Sequence, residues 1–173
     1  MGPVVSTLCR FGGIAGAAAA LLGAGCASSD LSQKPETTSE VVEALPTDSP
    51  APTEIVRAVW FPNSSGFGST DASPLGHSSG VLALAGDSLF FLAWNGPEHH
   101  YDVLHVIAIP KMTTVTVAHA GPLAMLVIQS SNLSFDSFEL MKGGQFISDP
   151  PATQELCDKL QALLAKVPPL APL

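Results

Sequence analysis

From Glu54 onward apolar residues return at short intervals, and the intervals are those of strands. The stretches "EIVRAVWF", "SGVLALA", "SLFFLAW", "VLHVIAI", "MTTVTVAH", "LAMLVIQ" and "LSFDSFEL" are rich in β-branched, aromatic and aliphatic side chains. In "MTTVTVAH", Val115 and Val117 alternate with threonine, the period-2 mark of a half-buried strand. Turn residues separate the runs. Gly86-Asp87 reads as a hairpin turn, "NGPEHHYD" as a polar loop, and Pro110-Lys111, "AGP" and "SSN" as shorter connections. The period then changes. Asp149 precedes Pro150-Pro151, a helix start, and Leu156, Leu160, Leu163, Leu164 and Val167 follow at helical spacing until Pro168-Pro169. The pattern predicts seven short strands and one amphipathic helix between residues 54 and 167, with a Pro-rich tail over 168–173.

The N-terminal pattern is different. Residues 11–25, "FGGIAGAAAALLGAG", are apolar without periodicity and follow Arg10, the only early charge. Fifteen helical residues reach about 22 Å, short of a hydrocarbon core of about 30 Å. A basic start, a short apolar run and small residues after it predict an export signal over 1–25. Its end, "LLGAGCASSD", resembles the lipobox of bacterial lipoproteins, with Ala24-Gly25-Cys26 in the cleavage and acylation positions. That resemblance implies lipid attachment at Cys26. Gly23 stands where a large aliphatic residue is expected, and ordinary cleavage after Ala27 is the competing reading.

Residues 26–53 are dominated by Ser, Thr, Pro and Glu, with four large aliphatic side chains and no aromatic one. So little apolar surface does not offset the entropy of ordering, which predicts a disordered tether. As a coil, its 27 residues beyond Cys26 would average roughly 29 Å end to end. Within it, "EVVEAL" is the one place for a turn of helix.

Cysteine usage agrees with export. Cys9 leaves with the signal and Cys26 carries lipid, so Cys157 remains alone, without an internal disulfide and outside any cysteine metal site. It flanks the leucine stripe, where a small buried hydrophobe belongs. Beyond Cys26 the chain keeps all fifteen acidic residues and six of the seven basic ones, a net of −9. This argues against a nucleic-acid footprint, which needs clustered Lys and Arg.

The segments "GVLALAGDSLFFLAW", "IAIPKMTTVTV", "LAMLVIQSSNLSFDSFEL" and "ATQELCDKLQALLAKV" together resemble the pleckstrin-homology-like fold, in particular its bacterial GRAM-like branch. The resemblance covers residues 80–167, and its motifs are structural. It implies a small, bent, seven-stranded barrel, mainly β, capped by the C-terminal helix. Phosphoinositide binding is not expected with it: residues 62–95 contain no Lys or Arg to meet a multiply charged headgroup.

Two chemical candidates stand out. "GHSSG", residues 76–80, fits the G-x-S-x-G elbow of serine hydrolases, with Ser78 as nucleophile. That elbow needs a buried strand before it and a helix after it. Here the polar "GSTDASPL" precedes it and a strand run follows, so the expectation is a loop entering a strand and no catalytic residue. The second candidate is Glu98, His99, His100 and His105, residue types that bind zinc. Adjacent His99 and His100 point to opposite sides of an extended chain, so a solvated hairpin loop is the simpler expectation. His105 and His119 are expected on strand faces as satisfied polar groups, and no metal or other cofactor is expected.

The function expected is a non-catalytic module of the bacterial cell envelope, outer membrane rather than inner if the cell is Gram-negative. It is lipid-anchored through Cys26 and contacts another protein. A barrel holding a small apolar ligand is the alternative, and a hydrolase through Ser78 the third.

Overall fold

Each of the seven apolar runs between Glu54 and Leu140 becomes a strand. The computed structural model describes residues 37–63, 76–142 and 147–168. In chain order the strands are β1 (Glu54–Pro62), β2 (Ser78–Ala85), β3 (Ser88–Asn95), β4 (His100–Ala108), β5 (Met112–Ala120), β6 (Leu123–Ser130) and β7 (Phe135–Leu140). Helix α1 (Thr37–Ala44) precedes them and α2 (Pro150–Leu164) follows; a 3-10 turn, Ile109–Lys111, joins β4 to β5. Polar "NGPEHHYD" is shorter as a loop than expected, because β4 begins at His100.

All neighbours are antiparallel, in the order β4-β3-β2-β1-β7-β6-β5. β1 is the shared strand: Glu54↔Leu84 to Trp60↔Ser78 pair it with β2, and Ala58↔Leu140 to Pro62↔Asp136 pair it with β7. Seven antiparallel strands with one C-terminal helix form a PH-like fold. The expected barrel is not closed, however: β4 and β5 end the order and do not pair with each other. The link between them is a 3-10 turn carrying Pro110, not a hairpin turn.

One face of the sheet encloses the main core, where Leu82, Phe91, Ile107, Leu126, Ile128 and Phe138 meet Leu156, Cys157 and Leu160 of α2. Asp149 caps α2 by accepting from Ala152 N–H at 3.2 Å, and Pro150 and Pro151 occupy the first turn, where no donor is lost. Cys157 is free and buried at 1% exposure, as the leucine stripe implied.

The opposite face is also covered, and this departs from the expected tether. Residues 37–53 are ordered: α1 lies on the outside of the sheet, with Val41 fully buried and Leu45 nearly so against Val81, Ala83, Phe90, Leu92 and Tyr101. Val41 and Leu45 stand four residues apart, on one helix face. Burying such aliphatic side chains contributes about 1.5–3 kcal/mol each, which offsets ordering that composition alone argued against. Beyond α1, Pro50 packs over Gly86, and Thr53 N–H donates to Leu84 C=O at 2.8 Å. Residues 1–36, including the signal, Cys9 and Cys26, lie outside the described residues, as do 64–75, 143–146 and 169–173.

Candidate functional site

GHSSG is a strand entrance. Ser78 and Ser79 belong to β2, opposite Trp60 and Val59, and no helix follows them. The strand–turn–helix of a nucleophile elbow is therefore not formed at Ser78. The glycine of the motif has a packing role instead. A Cβ at Gly80 would lie 2.0 Å from Leu92 C=O and 2.9 Å from the Phe91 ring, beside the irregularity in β3–β4 pairing between Phe91 and Leu92. Only glycine lets β3 approach that closely.

The histidines are dispersed. His99 adopts a left-handed conformation, φ 56°, with its ring 6.4 Å from Trp94. His100 places Nε2 2.8 Å from Asp102 Oδ1 and 3.5 Å from Glu98 Oε2, while Asn95 Nδ2 donates to the other Asp102 oxygen at 2.8 Å. The Asp102 hydrogen bond, aided by Glu98, raises the His100 pKa. The Asn95 amide and then His100 lower that of Asp102. These groups close a hairpin loop, and among the described residues no group of three or more His, Cys, Asp or Glu could hold a metal ion. His119 is an exposed residue of β5.

His105 turns inward instead and meets a partner that sequence reasoning missed. Asp136 of β7 is 5% exposed. It accepts from Trp60 Nε1 at 2.9 Å, and His105 Nε2 lies 3.1 Å from its second oxygen. The Trp60 and His105 rings stack at 4.8 Å between centroids, 13° from parallel. Both carboxyl oxygens thus have a partner, as buried polar atoms require. The cluster ties β1, β4 and β7 together and holds the imidazole in place.

His105 and Asp136 of this cluster line a cleft of about 350 Å³ between β4 and the β6–β7 turn. Residues 105–108 of β4 form one rim, Ser130, Ser131, Asn132 and Ser134 the other, and Lys111 stands at the turn between them. Ser131 N–H donates to Lys111 C=O at 2.8 Å, fixing the second rim to that turn. Three large apolar side chains near this opening face solvent: Leu104 and Val106 on β4, and Leu133 in the β6–β7 turn. Among the described residues no helix is long and apolar enough to cross a membrane.

No protein-family model and no curated protein matches this sequence. Among solved structures the chain is similar to the N-terminally truncated linker–DH/PH domains of p115-RhoGEF. The TM-score is 0.49 at 11% identity, over 82% of this chain and 37% of that one. The chain thus spans little more than a third of that structure, and the fold assignment rests on the strand order and α2 described above.

Proposed function

We propose that this protein is a lipid-anchored module of a bacterial cell envelope, held by acylated Cys26 and displaying a non-catalytic PH-like domain that binds another protein. The observation that carries the binding part is a filled interior beside an open, amphipathic exterior cleft. Phe91, Phe138, Leu126, Ile128 and Leu160 occupy the space in which a small apolar ligand would sit. The cleft beside β4 is lined by serines, Asn132, His105 and Lys111 and rimmed by exposed aliphatics, a mixture suited to a protein surface. The lipoprotein part rests on "LLGAGCASSD".

Because residues 37–53 are ordered, the span between anchor and domain is shorter than the composition suggested. Ten residues separate Cys26 from Thr37, a reach of at most about 40 Å. The domain therefore works close to the membrane surface. Multiple acyl chains hold a protein stably where one does not. Cys26→Ala is expected to release the domain into the soluble envelope fraction or to block processing. A wild type that is already soluble, with Ser28 at its mature N-terminus, overturns the anchor.

A further inference from the structure

The two ends of the sheet are treated differently. At the β5 end, α2 covers part of the edge: Gln161 Nε2 donates to Val115 C=O at 2.8 Å. At the other end, α1 packs against the first half of β4 through Tyr101 and Val103. The second half is left bare, with Leu104 49% and Val106 46% exposed. Among the described residues β4 has no strand beyond β3, so alternate backbone N–H and C=O groups face outward. Natural edges are commonly blunted by lysine, proline, a bulge or a covering element; a register shift falls at Leu104, and residues 105–108, "HVIA", beyond it carry neither lysine nor proline.

Two further observations lie on the same cleft. Lys111 is exposed and pairs with no described carboxylate, in a chain that carries a net charge of −8. Leu133 is 74% exposed and held at φ 66°, a conformation unfavourable for leucine, next to Asn132, which would tolerate it better. The left-handed backbone of Leu133 closes the β6–β7 turn, its N–H donating to Ser130 C=O at 2.9 Å, while its side chain is left in solvent.

We propose that the second half of β4 binds an extended segment of a partner protein by strand addition, with apolar side chains alternating with acidic ones. This rests on the protein-binding reading above and specifies its site. On an added strand, residues on the outer face would lie along Leu104 and Val106. Their neighbours would point into the cleft, towards Lys111, Asn132 and Ser134. Main-chain hydrogen bonds supply the docking, and the Lys111 ammonium selects carboxylates over ammonium groups.

The test uses the full chain in detergent micelles and a fluorescein-labelled heptapeptide alternating valine with aspartate. Anisotropy is expected to show binding, with the largest amide shifts by NMR at residues 104–108. N-methylation of alternate peptide amides should weaken binding at least tenfold. Lys111→Glu should weaken the aspartate peptide at least tenfold and strengthen a version carrying lysine. Val106→Lys, at an exposed position that leaves the fold intact by circular dichroism, should also weaken binding at least tenfold. Absent binding, shifts centred on another element, equal binding of the N-methylated peptide, or pairing of β4 with a second copy of this chain each overturn the proposal. Photo-crosslinkers at Val106 and at Ala162 on α2 separate the two readings. A defined envelope partner captured only from α2 leaves the binding module standing and removes the β4 site. Capture from neither position removes the module reading itself.

Discussion

Gly80 and Ser78 sit two residues apart in one motif, and their substitutions should behave oppositely. Gly80→Ala forces a methyl group to 2.0 Å from a backbone carbonyl, which cannot swing aside as a side-chain tip can. A loss of about 1–3 kcal/mol or more is expected in urea denaturation. Ser78→Ala removes a hydroxyl from the half-exposed start of β2 and should shift stability by no more than about 0.5 kcal/mol. Serine-directed fluorophosphonate labelling of the wild type that vanished in Ser78→Ala would restore the nucleophile. At the β3–β4 loop, His100 binds its proton more tightly when folded than when unfolded, through Asp102 first. Its contribution to stability is therefore complete below its ordinary value of 6.5 and is lost as pH rises through its raised folded value. Asp102, lowered by Asn95 and then His100, acts in the opposite sense and loses its contribution as pH falls below 3.8 towards its folded value. An NMR titration of the His100 ring should have its midpoint moved down by Asp102→Asn.

Among the elements, α2 behaved as its leucine spacing required and α1 did not behave as its composition suggested. Leu160 is fully buried between Leu156 and Leu164, and Leu160→Ala should cost about 2–5 kcal/mol, a transfer term plus a cavity. Gln161, exposed by its helical position, is not a neutral control, because its amide holds Val115 C=O. Gln154, whose one side-chain bond is to exposed Asp158, serves better and should change stability by less than about 0.5 kcal/mol. For α1, Val41→Ala should cost about 1–2 kcal/mol and speed amide exchange across β2 and β3. A tether with no contact to the sheet would show neither effect. The sequence did carry a sign of α1's place. "VLALA" and "LFFL" are continuous apolar runs, not alternating ones, and such runs mark strands buried on both faces. Something had to cover the second face, and Val41 and Leu45 do so.

At the scale of the molecule, Cys157 reports on the whole fold. Burial, and then the neighbouring Asp158 charge, holds its thiol above the usual value, so it is both shielded and protonated. Thiol labelling should track global unfolding in urea; fast labelling in native buffer would show α2 opening by itself. Strand number, the hairpin at Gly86-Asp87 and the limits of α2 were legible in the sequence because each depends on residues a few positions apart. Period-2 and period-3.6 burial, turn residues and caps are local properties. The open seam between β4 and β5, the covering of the outer face by α1, and the meeting of Trp60, His105 and Asp136 were decided by the tertiary structure. They join residues 31 to 76 positions apart in the case of the Asp136 contacts, and no local period encodes such a distance. Whether an apolar residue such as Val106 ends exposed while Val41 ends buried is likewise a matter of what the sheet brings against it.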